Sequence, residues 1–292
     1  MTDGTRADLS RLAGHAFPAV TQAYDERDCM LYALGLGLGQ DPCAPEQLRH
    51  VQGDPVATLP MMSAVLASPT EWMRDPALGI VWQRLVALSH RMEFHRALPA
   101  RGVVRSQTRV SAVYDCGSKG ARIHWERDLV DAVSGDLLAV LKATALARDN
   151  SGFGGAPAPA RPRGQPPAAA PAFRFRWRTL PIQGLVYRLS GDMNPLHSDP
   201  DVARQAGFER PILHGLCSLA ICGLGLIDTV CAGRPVRLRA LSASYAGIVY
   251  PGETLEMDIW PDTEEVQFQC RVLDRSSLAV AEGTARIAHA FV

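Results

Sequence analysis

The clearest hydrophobic pattern lies in the second half of the chain. Residues 173–177 alternate aromatic and arginine, the period of two expected of a half-buried strand. Asp199-Pro200 reads as an N-cap followed by proline at the first helical position, and Gly207 as the stop of that short helix. A second helix is predicted from about His214 to Cys231. Its Leu216, Leu219, Ala220, Ile221, Leu224, Ile227 and Val230 are apolar on nearly every face, so it should be enclosed. Strands follow near 236–247, 253–260, 264–274 and 278–289, divided by the turn signals Pro251-Gly252, Pro261-Asp262 and 274–277. The first half repeats part of this plan. Strand patterns lie near 102–114, 120–131 and 136–148, and helical material is predicted over 24–39 and 69–91. The stretch 34–39 alternates leucine with glycine, so that helix should be short.

A strand, an enclosed helix and a run of antiparallel strands make an α+β arrangement, a sheet curved around one helix. Between the two copies lies S-G-F-G-G-A-P-A-P-A-R-P-R-G-Q-P-P-A-A-A-P (151–171), with six prolines and four glycines and no strand period. Such a segment reads as an extended linker. The expected organisation is 1–150, a linker at 151–171, and 172–292. If both halves share one fold, the first has lost most of its central helix, and the vacated space would suit a long apolar ligand.

Composition narrows the function classes. The chain has 292 residues, 47% hydrophobic and 21% charged, and its 30 basic side chains equal its 30 acidic ones. No net field attracts a nucleic-acid backbone or an anionic membrane, so neither partner is expected. Seven cysteines without a C-x-x-C pair argue for free thiols in a reducing compartment, not for a disulfide framework or a zinc site. The opening M-T-D-G-T-R-A-D lacks the apolar core of a secretory signal, and the longest apolar stretch, 216–230, is too short to span a bilayer. A cytoplasmic protein is expected. A peroxisomal one stays open for a eukaryotic source, although the last residues carry no S-K-L-like signal.

Two stretches carry candidate chemistry. In Y-R-L-S-G-D-M-N-P-L-H (187–197), Asp192, Asn194 and His197 fall within six residues, and Gly191 and Pro195 force a tight backbone. A carboxylate and an imidazole on one rigid loop can orient a water and share its protons. The same residues also make ordinary turns by bonding their own backbone. In R-P-I-L-H-G-L (210–216) the enclosed helix begins. Gly215 there lets a ligand approach free N–H groups at the positive end of the helix, which suits an oxyanion, or it simply permits tight packing.

Together these stretches resemble the (R)-specific enoyl-CoA hydratases, the hydratase 2 or MaoC-like family of hotdog-fold proteins. The loop 187–197 matches that family's signature, P-I-L-H-G-L (211–216) follows at its spacing, and Y-P-G-E-T-L (250–255) is similar to its late strand-turn signal. Y-A-L-G-L-G (32–37), E-F-H-R-A-L-P (93–99), V-Y-D-C-G-S-K-G-A (113–121) and S-G-F-G-G (151–155) resemble the two-domain, eukaryotic-type members. The resemblance implies a double hotdog, two antiparallel sheets each curved around a helix, with the N-terminal half around the acyl chain. It implies Asp192 and His197 as the catalytic pair, Asn194 holding the water and Gly215 as oxyanion donor. The activity implied is reversible syn hydration of a trans-2-enoyl-CoA to the (3R)-3-hydroxyacyl-CoA. No metal or redox cofactor is implied, coenzyme A being part of the substrate, and a homodimer is expected.

Tyr187, His214, Met61 and Met62 are further candidates for substrate contact; His214 reads more readily as a hydrogen-bonded structural histidine, and the methionines equally as lining of an acyl pocket or as core filling. Some positions depart from the family pattern: Ser89-His90-Arg91-Met92 replaces an H-G-E-Q-like stretch, Arg148-Asp149-Asn150-Ser151 replaces R-G-x-G, Cys116 and Ser118 occupy a turn that often bears lysine, and Gly184 stands where alanine is usual. Arg174, Arg176 and Arg178 line one strand face and read as a solvated face in preference to a phosphate site. His90 and His95 are spaced for neither a helix face nor zinc. A hotdog-fold thioesterase and a non-catalytic acyl-CoA-binding subunit are the alternatives. The intact loop favours hydration over both.

Overall fold

Ten strands of a computed structural model carry the architecture, which is described for residues 9–69, 72–160, 164–263 and 265–288. The readings placed on residues 1–8 and on the last four residues lie outside these. In chain order the strands are β1 Val20–Tyr24, β2 Leu85–Phe94, β3 Gly102–Asp115, β4 Ala121–Asp131, β5 Leu137–Ala147, β6 Phe173–Arg178, β7 Leu238–Tyr245, β8 Thr254–Pro261, β9 Val266–Val272 and β10 Ser277–Ile287. The helices are α1 Glu26–Gly35, α2 Pro45–Leu48, α3 Gln183–Tyr187, α4 Pro200–Gln205 and α5 Gly215–Thr229. All ladders are antiparallel, in the order β1-β3-β4-β5-β2-β7-β10-β9-β8-β6. The two half-sheets therefore join edge to edge through β2 and β7 into one ten-stranded sheet.

The second half follows its pattern closely. α5 is enclosed from Cys217 to Ile227, and Gly223 and Gly225 admit Met61 and Phe175 to contact distances that a Cβ would close to 2.9 and 2.7 Å. β6 pairs with β8, and its arginines meet carboxylates: Arg174 reaches Asp258 at 2.9 Å and Arg176 reaches Glu256 at 2.6 Å. That face is a row of ion pairs.

The first half departs from expectation at one place. Among the described residues of the stretch 69–91 there is no α-helix. Short 3-10 turns at Trp72–Arg74, Pro76–Leu78 and Trp82–Arg84 lead into β2 from Leu85. Proline at 76 and the left-handed Gly79 stop the first two turns before they can propagate, and the third ends in the extended Leu85. The β-branched and apolar run after Arg84 then takes its hydrogen bonds from β5 and β7. α1 forms as predicted, with Asp25 and Asp28 closing a reciprocal capping box. It ends at Gly35, and the place of a second long helix is taken by the 3-10 turn Pro60–Ala64. The linker residues described run without regular structure but are fastened: Asp115 bonds Gly154 and Ala156, and Trp260 donates to the Ala169 carbonyl at 2.8 Å. All seven cysteines are free. No helix among the described residues is long and apolar enough to cross a membrane.

Candidate active site

The loop between α3 and α4 is fixed by its own short-range bonds. Gly191 takes φ of 128°, open to glycine and strained for other residues, and turns the chain out of the 3-10 turn Arg188–Ser190. The Asp192 carboxylate then accepts from the Asn194 N–H at 3.2 Å, and the Asn194 side-chain oxygen accepts from the Leu196 N–H at 3.1 Å. Pro195 starts the turn Pro195–His197, whose last residue donates its N–H to the Asn194 carbonyl at 3.1 Å. Asp199 caps α4 immediately afterwards. Asparagine and aspartate thus make the ordinary turns that the sequence allowed, and by doing so they hold the Asp192 and His197 side chains on one side of the loop.

The two imidazoles of the site have assignable protons. His197 Nδ1 lies 2.8 Å from the Ile212 carbonyl, which can only accept, so Nδ1 carries the proton and Nε2 carries the lone pair. His214 Nε2 lies 3.1 Å from the Asp192 carbonyl and donates in the same way, and its buried Nδ1 has no partner. The rings stack at 3.7 Å with 29° between their planes. Loss of solvent lowers the His197 pKa below that of free histidine, although the Asp192 carboxylate pulls it back up. Burial, and then His197 itself, hold His214 well below the ordinary value. Both rings are neutral at pH 7. Asp192, His197 and His214 bring one oxygen or nitrogen each within 4.8 Å of one another. That span would also fit a divalent ion, but two stacked rings in near-parallel planes do not aim their lone pairs at one tetrahedral centre.

Gly215 opens α5, with His214 as its N-cap residue. The first N–H groups of a helix have no acceptor inside it. A Cβ at 215 would meet the Tyr245 ring at 3.0–3.3 Å, so the glycine serves close packing. The Tyr245 hydroxyl bonds His90 Nδ1 at 2.9 Å, and His90 also sits edge-on to Trp125. Loss of solvent pushes the His90 pKa down to about 4, with Arg127 contributing. Tyr245 did not stand out in sequence, His90 did so only as a departure from the family pattern with a spacing unsuited to zinc, and His95 lies apart and exposed. Only strand register brings His90 opposite Ala243, two residues from Tyr245.

The remaining candidates divide. Tyr187 is fully buried at the end of α3, with its ring 5.0 Å from His214 and 5.9 Å from Tyr32 of α1. Met61 packs against Gly223 of α5 in the core. Met62 lines a cavity of about 170 Å³, together with Val20, Leu31, Val65, Leu66 and Gly191. This cavity lies between α1, the turn Pro60–Ala64 and the loop at 189–191.

Residues 162–281 match the MaoC like domain, and residues 22–149 match the MFE-2 hydratase 2 N-terminal domain. The chain is 34% identical to enoyl-CoA hydratase ChsH3 of Mycobacterium tuberculosis, over 94% of this chain and 97% of the relative. It is also 34% identical to the peroxisomal enoyl-CoA hydratase 2 of Arabidopsis thaliana, over 96% of each. The crystal structure of a MaoC-like dehydratase from Phytophthora capsici superposes with a TM-score of 0.81 at 26% identity, covering 97% of this chain and 98% of that one. The ten-stranded sheet is a double hotdog, and the chain belongs to the enoyl-CoA hydratase 2 family of MaoC-like proteins.

Proposed function

We propose that this protein adds water reversibly across the double bond of a trans-2-enoyl-CoA, with Asp192 and His197 as its proton-handling pair. The observation that carries this reading is that a ring nitrogen of His197 and a carboxylate oxygen of Asp192 lie within 4.8 Å of each other, close enough to share one water, with the His197 proton assigned to Nδ1. As the water oxygen bonds to C3, one of its protons passes to the pair. Electron density moves through C2 to the thioester oxygen, where the Gly215 N–H would receive the developing charge. C2 then takes a proton back from the same pair, on the face the oxygen entered. The sum is one O–H bond and the C2–C3 π bond broken, and one C–O and one C–H bond formed. No electron is gained or lost, so the reaction calls for no redox cofactor. The Nδ2 hydrogens of Asn194, whose side-chain oxygen is engaged with Leu196, are the donors it has for the water.

The cavity beside Met62 supports a course for the acyl chain into the first half, which makes 1–150 the acyl-binding half and 172–292 the catalytic half, joined by 151–171. A homodimer and a cytoplasmic setting belong to the same proposal, the latter supported by the free thiols.

A single assay tests the reading. With crotonyl-CoA or a decenoyl-CoA, the conjugated absorbance should fall with no free thiol released. Thiol release with the enoyl band retained means hydrolysis and contradicts it. The same assay followed against pH reports the base. Because burial depresses the His197 pKa, the neutral ring persists below the pH at which free histidine protonates. kcat/KM should therefore stay level as pH falls through 6.5 and decline only further into acid.

A further inference from the structure

The sheet contains an internal two-fold relation. Outward from the β2–β7 junction, the strands run β2, β5, β4, β3, β1 on one side and β7, β10, β9, β8, β6 on the other, so β1 to β5 match β6 to β10 in order. The middle pair of the β2–β7 ladder is Arg91↔Ser242. A two-fold axis there carries Phe94, the last residue of β2, onto Tyr245, the last residue of β7. Tyr245 covers Gly215 at the start of α5. Phe94 lies with Thr58 and Pro60, at the start of the turn Pro60–Ala64, in the wall of a groove of about 330 Å³. This groove is the first half's counterpart of the cleft that holds Asp192 and His197.

The counterpart is built for a different task. Its lining contains no carboxylate and no histidine, and so no proton-handling pair. It presents four arginines instead, Arg49, Arg96, Arg234 and Arg239, over an apolar floor that includes Phe94 and Leu238. Arg96 is held by Asp136 at 3.0 Å, and Arg49 donates to His50 at 3.1 Å. The guanidinium groups of Arg234 and Arg239 have no partner among the described residues. The carbonyl end of α5 would attract one basic side chain. It does not explain four that arrive from both halves in a chain of zero net charge. The groove is also remote from the catalytic loop. Gly233 and Arg234 follow the last turn of α5, and its 15 residues span about 22 Å from Gly215.

We propose that this groove is a second, non-catalytic site for the phosphate-bearing end of a nucleotide, the chemistry that coenzyme A shares with free nucleotides. Guanidinium forks match phosphate oxygens two at a time, and an apolar floor beside them suits a base or a pantetheine arm. The volume is that of a small-molecule site. The binding does not depend on the reaction proposed for Asp192 and His197.

Calorimetric titration of the full chain tests it, with coenzyme A, adenosine 3′,5′-bisphosphate and inorganic phosphate as separate probes. The wild-type chain should bind two equivalents of coenzyme A. An Arg234→Gln/Arg239→Gln variant should bind one, as should Arg239→Glu alone, with thermal unfolding unchanged and KM for the enoyl-CoA within about twofold of wild type. Adenosine 3′,5′-bisphosphate should bind the wild-type groove about as tightly as coenzyme A and lose at least tenfold in the variants. A single equivalent in every chain overturns the proposal. So does a tenfold rise in KM in the variants with one equivalent throughout, since the arginines would then hold the substrate reacting at Asp192. Inorganic phosphate bound as tightly as the nucleotide also overturns it, as an adventitious ion only.

Discussion

Asp192→Asn and His197→Gln should each lower kcat roughly 10³-fold, and the double substitution should cost little more than either alone. In the reaction proposed the two side chains act on one water, so removing either disables the same proton transfer. Asparagine at 192 keeps an oxygen for the Asn194 N–H and so preserves the turn. Glutamine at 197 retains polarity but has no lone-pair nitrogen to accept a proton. The far-ultraviolet circular dichroism and the affinity for coenzyme A should therefore match wild type while turnover of an enoyl-CoA disappears. Wild-type rates in both single variants would remove the pair from the mechanism. Additive losses would mean that the two groups serve separate steps.

The second large effect concerns stability. Arg127 lies on β4 and is buried, yet no carboxylate among the described residues meets it. Its guanidinium donates instead to three carbonyls of the turn Pro60–Ala64 and its exit: Ser63 at 2.9 Å, Ala64 at 2.6 Å and Leu66 at 2.7 Å. Burial draws its pKa down to about 10, so the charge persists at neutral pH. Ser106, within 3.4 Å, bonds the Ala67 carbonyl at 2.6 Å and extends the network. This one fork satisfies the carbonyl end of the segment that replaces the first half's helix and carries Met61 and Met62. Arg127→Met fills similar volume but leaves three buried acceptors without donors, at about 1–3 kcal/mol each before relaxation. Relief of the buried charge offsets part of that, and a net loss of about 3 kcal/mol is expected. The melting temperature should then fall by about 6 °C or more. Arg127→Lys should recover only part of it, because one ammonium cannot span carbonyls that a planar fork reaches together. A melting temperature within 1 °C of wild type for Arg127→Met would show that the network contributes nothing.

The difference between these two sites explains what was legible in sequence. The loop at 191–198 is local: Asp192, Asn194 and His197 are placed by bonds spanning two to three residues, so composition and spacing carried the turn and the closeness of these side chains. The enclosed helix was legible for a similar reason, since α5 is apolar around its whole circumference. Arg127 was not, because it sits among Glu126 and Asp128 on a strand and its partners are 61 to 64 residues away. Nothing near it in sequence separates an inward-facing arginine from a solvated one. β2 was masked by the prolines and 3-10 turns before it, and the β2–β7 ladder that unites the half-sheets is a pairing across some 150 positions. The arginine groove was hidden likewise, its four cations coming from segments that only the folded sheet brings together.

Stereochemistry tests the central claim most directly, since a pair of groups serving one water can deliver oxygen and hydrogen only to the same side. Hydration of a trans-2-enoyl-CoA in heavy water, with the product's C2–C3 coupling and C3 configuration read by NMR, should give a single diastereomer. Deuterium and hydroxyl should have entered on one face, and C3 should be R. Anti addition, or a mixture of C2 epimers formed directly by the enzyme, would contradict the account.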